Sequence, residues 1–347
     1  MTVPEPQRPK RRVRYRGKNP RQFHEKYKEH RPDRYPDDVA KVISGGRTPA
    51  GMHRPIMTAE ILAVLAPRPG DVAVDCTLGY GGHATALLAA IQPGGRLLGI
   101  DADPLEFPKT EARLHALGLP PGAVVLRRTN FAALPGFLAD EAPEGADVVL
   151  ADLGLSSMQI DDPARGFSFK SDGPLDMRMN PAKGRPASSL PSELGEAGLA
   201  RIFAEHADEP HAREFAAAIQ RAAKPPKTTH ALAAIVREAC ERLRLPEDSA
   251  DASVRRVFQA LRIEVNDELG ALASLLRALP GCLKPGGRVA VLSFHSGEDK
   301  RVKSAFKEGL RRGVFASIAP EVIRPSAEER RANPRSSSAR LRYAVRA

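Results

Sequence analysis

Residues 74–91, VDCTLGYGGHATALLAAI, run a short apolar strand into a glycine cluster and then into an alanine- and leucine-rich helix. No other feature narrows the fold as much. A strand that enters a helix through a tight glycine turn is half of a βαβ crossover, and crossovers build parallel sheets covered by helices on both faces. The rest of the chain keeps this rhythm. Apolar runs at 72–76, 96–100, 123–127, 148–151 and 289–294 read as strands, and helical periodicity follows most of them. QPGGR at 92–96 and KPGGR at 284–288 place proline and glycine between a helix and the next strand.

The rhythm breaks after Ser157. A Pro-, Gly- and Asp-rich loop, DDPARGFSFKSDGPLDMRMNPAKGRP, is followed by helical periodicity over 192–245 with no clear strand. Residues 157–250 therefore read as an inserted loop and helical subdomain within a sheet domain made of 51–156 and 251–347. Loops at the carboxyl ends of parallel strands border the ligand crevice, so an insertion here is expected to recognise substrate.

Composition sets further bounds. The 347 residues carry a net charge of +11, and residues 1–50 alone hold 14 Lys/Arg against 6 Asp/Glu. That stretch interleaves Tyr15, Phe23, Tyr27 and Tyr35 with basic residues and lacks periodicity, so it reads as a disordered extension. It is either a solubilising tail or a polyanion-binding arm. A second basic run, 324–346, closes the chain, and both ends favour a nucleic-acid partner over a small acidic substrate. Cys76, Cys240 and Cys282 lie far apart with no histidine at ligand spacing, which argues against zinc and disulfides and for a reducing compartment. No stretch reaches the roughly 20 apolar residues of a membrane span, so a soluble, cytoplasmic protein is expected.

In GYGGHA, Gly79, Gly81 and Ala84 match G-x-G-x-x-A, the dinucleotide fingerprint, and Asp101 after the second strand is placed for a ribose hydroxyl. That match alone is weak, and Asp75 discriminates between cofactors. A carboxylate just ahead of the loop would repel a pyrophosphate docking on the helix N-terminus. S-Adenosylmethionine carries no phosphate, and its cationic sulfonium and ammonium groups would be attracted. Asp75 also suits a turn or cap, but with Asp101 it moves the expectation from an NAD-dependent oxidoreductase to a class I S-adenosylmethionine-dependent methyltransferase. The expected fold is Rossmann-like α/β, with a mostly parallel sheet and an inserted helical subdomain.

At this point the sequence resembles the bacterial small-subunit ribosomal RNA cytosine-N4 methyltransferases, the RsmH or MraW family, over about residues 53–343. The matching stretches are HRPIM (53–57), TLGYGGHA (77–84), IDADP (100–104) and ADLGLSSMQIDDPARGFSFKSDGPLDMRMNP (151–181). They continue with RVFQALRIEVNDEL (256–269), PGGRVAVLSFHSGEDKRVK (285–303) and NPRSSSARLR (333–342). The resemblance implies methyl transfer from S-adenosylmethionine to the exocyclic amine of a cytidine in the decoding region. It implies cofactor contacts at Gly81, Gly82, His83, Asp101, Phe131, Asp152 and Gln159. Its implied partner is small-subunit ribosomal RNA or the small ribosomal subunit, with no membrane and with self-association left open. Without the family, Phe131 reads equally as a stacking platform or a core residue, His83 as a helix cap, and Gln159 as a loop amide. Three departures stand out: ADEP at 207–210 in place of Gly-Glu-Glu-Arg, Pro108 where small helix formers are customary, and Lys300 in place of arginine.

The catalytic group is less legible. Many amino-methyltransferases place [DNS]-P-P-[YF] after the fourth strand, and here that position reads DLGL, so only Asp152 fits. SFHSGED at 293–299 offers Ser293 and His295 as catalytic candidates, with Asp299 nearby. Phe258, Leu261, Val265 and Leu269 recur at helical spacing as a buried stripe. Arg255, Gln259, Arg262 and Asn266 form a polar one, which suits a solvated face, a phosphate contact or an anchor for the inserted loop. Arg165, Lys170 and Arg178, set among Phe167 and Phe169, suggest a clamp for a flipped-out base. No metal is expected. A catalytically silent RNA-binding protein of the same fold is the remaining rival.

Overall fold

The apolar runs become strands because helices cover both of their faces. The structure is a computed structural model that describes residues 55–347, so the basic N-terminal extension lies outside the described residues. Strands β1 (Val72–Asp75), β2 (Arg96–Asp101), β3 (Val124–Arg128), β4 (Ala146–Asp152), β5 (Leu283–Ser293), β6 (Phe315–Ile318) and β7 (Arg340–Arg346) form one sheet in the order β3-β2-β1-β4-β5-β7-β6. Strands β1 to β5 pair in parallel, and only β7 runs against its neighbours. This is the mostly parallel class I architecture expected. The helices in chain order are α1 (Thr58–Leu65), α2 (Gly82–Ile91), α3 (Phe107–His115), α4 (Leu134–Glu141), α5 (Ser157–Asp161) and α6 (Leu190–Ala207). They continue with α7 (Ala212–Arg221), α8 (Thr229–Arg242), α9 (Glu247–Asn266), α10 (Glu268–Cys282), α11 (Ser296–Arg311) and α12 (Ala327–Ala332).

Alternation along each strand divides the core in two. Ala73, Leu97, Val148 and Ala290 join a cluster with Ile61, Leu87, Ile91 and Phe107 from α1, α2 and α3. Their immediate neighbours Val74, Leu98, Val149 and Val291 face Phe137, Leu275, Leu279 and Phe306 from α4, α10 and α11. Pro108 falls in the first turn of α3, where its missing N–H costs nothing.

A third cluster belongs to the insertion: Phe203, Phe215, Leu232, Val236 and Val257 are fully buried in it. Helix α9 runs through residue 250 and supplies Val254, Val257 and Leu261 to this cluster. The chain then breaks at Asp267, which adopts φ 46°. α10 begins there and delivers Leu272, Leu275 and Leu279 to the sheet core. Leu269, expected on one stripe with Phe258, Leu261 and Val265, thus sits on the next helix.

Two readings of the strands change. KPGGR does not separate a helix from β5, because β5 starts at Leu283, which pairs with Ala146 before a register shift to Val148–Arg288. The second basic run, where the sequence reading has no strand, contains one. Its last part is β7, seated between β5 and β6 with Leu341 and Ala344 fully buried. Among the described residues no helix is long and apolar enough to cross a membrane.

Candidate active site

The strand order reverses between β1 and β4, and in open α/β sheets ligands bind beyond the carboxyl ends of the strands at such a switch point. The glycine loop lies there. Gly81 is the N-cap of α2 at φ 81°, and a Cβ on it would stand 2.9 Å from Thr110 Cγ2; one on Gly82 would stand 2.9 Å from Pro55 Cγ. Only glycine fits either position. Thr110 Oγ1 donates to the Gly79 carbonyl at 2.6 Å, and Asp101 Oδ2 accepts the Gly79 N–H at 2.6 Å, so both ends of that peptide are held from outside the loop. Burial raises the Asp101 carboxyl above its ordinary 3.8 despite backbone donors from Asp103, Gly79 and Ala102.

Two buried ionisable groups, Asp75 and His83, meet the half-buried Asp152 beneath the loop. Asp75 is 1% exposed; its Oδ1 accepts the Thr77 N–H at 3.0 Å, while Oδ2 has no partner. Burial pushes its carboxyl up to about 6, against the pull of His83. His83 is 7% exposed, with Nε2 3.4 Å from Asp152 Oδ2. That approach is within ion-pair range but off the hydrogen-bond direction, because Nε2 lacks a formed hydrogen bond. Burial works against a charged ring, yet Asp152 and then Asp75 outweigh it and hold His83 above its ordinary 6.5. Asp152 is positioned through its backbone N–H, which donates to Thr77 Oγ1 at 2.7 Å, and its Oδ1 is buried without a partner. Thr77, not singled out from the sequence, braces the Asp75 carboxylate and the Asp152 backbone.

Gln159 and Phe131 are placed differently from a simple lining role. Gln159 closes a capping box at the start of α5, accepting the Ser156 N–H at 2.8 Å, and its Nε2 donates to Asp103 Oδ2 at 2.7 Å. The same Asp103 oxygen accepts Arg165 Nη1 at 2.9 Å. Arg165 Nη2 donates to the Met179 carbonyl at 2.8 Å and the Arg178 carbonyl at 3.2 Å. With side chains 2% and 7% exposed, Asp103 and Arg165 bolt the inserted loop to the end of β2. DADP at 101–104 carried a signal for this, a second acid at a strand end, but its partner lies 62 residues on. Phe131 opens a short 3₁₀ turn after β3 and packs half-buried against the core on the α4 side.

The base clamp expected from Arg165, Lys170 and Arg178 is not formed. Arg165 is buried, and Arg178 is forked onto Asp176 at 2.9 and 2.7 Å, leaving only Lys170 exposed. Of the polar stripe on α9, Gln259, Arg262 and Asn266 are anchors, and Arg255 is exposed. Asn266 accepts the Met179 N–H at 2.7 Å and donates to the Met177 carbonyl at 2.8 Å; Gln259 donates to the His206 carbonyl at 3.1 Å. Arg262 grips both oxygens of Glu268 at 2.8 Å. Asn266 thereby clasps the strained backbone of Met177, which is fully buried at φ 62°.

At the end of β5, Ser293 is 1% exposed and its hydroxyl donates to the Arg340 carbonyl at 3.3 Å, so it serves the β5–β7 seam rather than the crevice. His295 is the N-cap of α11, with Nε2 3.2 Å from Glu298 Oε1, again off-line, since neither ring nitrogen has a formed hydrogen bond. One atom each of Glu268, His295 and Glu298 lies within 4.8 Å of the others. Burial is offset at Glu298 by His295 and the Phe294 N–H, and its carboxyl lies below the ordinary value. Arg262 already neutralises this group, so no cation is needed to explain it. The departures in ADEP and at Lys300 are wired together. Asp208 accepts Ser296 Oγ at 2.8 Å and faces Lys300 at 3.6 Å, while buried Glu209 holds Arg256 at 2.7 Å.

Residues 50–347 match the MraW methylase family. The chain belongs to that family. It is 46% identical over 342 residues to ribosomal RNA small subunit methyltransferase H 2 of Alkaliphilus metalliredigens, covering 97% of each chain. It is 45% identical over 348 residues to ribosomal RNA small subunit methyltransferase H 1 of Lachnoclostridium phytofermentans, covering 97% of this chain and 93% of that one. S-Adenosylmethionine is the methyl donor of such a methylase, and the residues fit it. Two buried carboxylate oxygens without partners, Asp75 Oδ2 and Asp152 Oδ1, flank a glycine cradle at a helix N-terminus. That environment favours a cationic ligand over a pyrophosphate.

Proposed function

We propose that this methylase transfers a methyl group from S-adenosylmethionine to the N4 amine of a cytidine in the decoding region of small-subunit ribosomal RNA. It does so in the cytoplasm, on the RNA or the assembled subunit. The observation that carries the reading is the pair of buried, unpartnered carboxylate oxygens at the switch point, in a chain whose family relatives are named for ribosomal RNA methylation.

Gly81, Gly82 and His83 shape the cradle for the donor, Asp101 meets the ribose, and Phe131 borders the adenine. Asp152 faces the donor, while Gln159 acts through Asp103. The donor, when bound, supplies a methyl group already activated on a sulfonium. What remains for the protein is alignment, because the cytosine amine is a poor nucleophile whose lone pair is delocalised into the ring. Its target must first leave the RNA stack, and the insertion between β4 and β5 is placed to receive it. Asp152 Oδ1, at the end of β4, and His295 Nδ1, two residues past the end of β5, have no formed hydrogen bond, and the two strands pair as Asp152–Leu292. An acceptor there stabilises charge as it develops on nitrogen. Ser293, already bonded, is the weaker catalytic candidate.

Calorimetry against S-adenosylmethionine and NAD, with nucleoside analysis of ribosomal RNA from cells with and without the protein, tests the proposal. Binding of the sulfonium donor alone and loss of N4-methylcytidine derivatives are expected. Binding of NAD instead, or an unchanged nucleoside profile, overturns it.

A further inference from the structure

Topology places the β6–β7 connection, residues 319–339, at the ligand edge of the sheet. β6 runs with β5 and β7 against it, so the chain leaves β6 and enters β7 at the carboxyl edge, where Arg340 pairs with Ser293. From there the connection reaches both sides of the switch point. Glu329 Oε1 accepts the Met57 N–H at 2.7 Å just ahead of α1, and its charge is felt at His83 beneath the glycine loop. Arg335 Nη2 donates to Asp161 Oδ1 at 2.6 Å at the end of α5. Ile323 exchanges both backbone hydrogen bonds with Leu341 at 3.0 Å, and Ser336 is fully buried, so the strap is fixed in place.

Its outer side is cationic at one end. Arg324, Arg330 and Arg331 are exposed, whereas Arg335 is paired with Asp161 and its Nη1 is buried. Glu321 and Glu328 are also exposed, but Glu329 is spent on Met57. The β7 part of the same basic run differs. Arg342 is 8% exposed and forked onto Asp299 at 2.6 and 3.2 Å. Arg346 donates to the carbonyls of Pro280 and Val314 at 3.1 and 2.7 Å. Those cations are satisfied within the fold, whereas the exposed Arg330 and Arg331 of the strap are not paired with a carboxylate among the described residues.

We propose that the strap is a phosphate rail: Arg330 and Arg331 take backbone phosphates of the RNA strand flanking the nucleotide in the crevice, and Arg342 and Arg346 take none. The proposal rests on the reading of the protein as an RNA methylase. A polynucleotide that delivers one base to the switch point must cross this rim, and guanidinium groups match phosphate with paired hydrogen bonds.

The test is fluorescence anisotropy of the full chain with a small-subunit ribosomal RNA fragment, from 50 to 300 mM salt. Arg330→Gln/Arg331→Gln is compared with Arg311→Gln/Arg312→Gln, an equal charge loss where α11 ends, at the opposite edge ahead of β6. Each lost phosphate contact lowers the logarithmic salt slope by about 0.7 to 0.9. The strap variant is expected to lose about 1.4 to 1.8, and the control nothing. Donor affinity and melting temperature should be unchanged in both. If the double variant melts early, each single strap variant should lose about half as much slope. A wild-type slope in the strap variants, or an equal loss in the control, overturns the rail. If the slope changes as expected but the wild-type protein leaves the RNA unmethylated, the methylase reading fails and the rail stands.

Discussion

Asp75→Asn is expected to raise stability and weaken donor binding together, an unusual pairing that follows from burial. The wild-type carboxyl is pushed from 3.8 to about 6, chiefly by desolvation, so the fold favours its protonated form. Stability from this group is fully present below pH 3.8 and is lost as pH rises through about 6. Above that, ionised Asp75 costs about 3 kcal/mol. Asparagine avoids the charge but brings an amide to satisfy, which leaves a net gain of about 1 to 2 kcal/mol. Binding moves the other way. A cation about 4 Å from a carboxylate gains about 4 kcal/mol at an effective dielectric near 20, and losing half of that weakens affinity about 30-fold. In the wild type, donor affinity should fall by up to about tenfold per pH unit below pH 6. His83, held above its ordinary value chiefly by Asp152 and Asp75, gains charge as pH falls and acts in the same direction, so the variant keeps a shallower slope. Calorimetry from pH 5 to 8 in buffers of different ionisation enthalpy, with thermal melts of the free protein, reads all three quantities. A variant that binds as tightly as wild type, or melts below it, refutes the reasoning.

Arg165→Met strands the Asp103 carboxylate in a site where it is 2% exposed, and should cost about 3 to 5 kcal/mol in urea melts. Adding Asp103→Asn should return part of that; strictly additive losses would mean that the two are not a pair. Gly81→Ala forces a side chain to φ 81° against Thr110, at about 1 to 3 kcal/mol, and should weaken donor binding more than tenfold; normal binding would show that the cradle tolerates a Cβ. His295→Ala should cut single-turnover methyl transfer by about 100-fold while leaving the donor dissociation constant unchanged. Equal turnover removes it from the mechanism.

The five parallel strands were legible because each holds a short apolar run with proline or glycine close by, which are local properties. β7 was not. RLRYAVR alternates charge with apolar residues, and the strand becomes admissible only because Asp299, 43 residues earlier, neutralises Arg342 inside the sheet. The site divides along the same line. Asp75, Asp101 and Asp152 announce themselves as acids at strand ends. Whether Arg165 would meet RNA or Asp103, and whether Asn266 would face water or hold Met177 from 89 residues away, depends on partners that no local pattern contains. Arg165 and Arg330 look alike as residues in basic, loop-rich sequence; one has a buried carboxylate at 2.9 Å and the other is exposed at the catalytic rim. Local sequence thus records where charge sits, and only the fold records which charge is already neutralised. Arg165 and Arg178 of the loop richest in family motif are thus neutralised within the fold, whereas Arg330 and Arg331 of the strap are exposed and not paired with a carboxylate among the described residues, which is why the rail is proposed there rather than at those loop arginines.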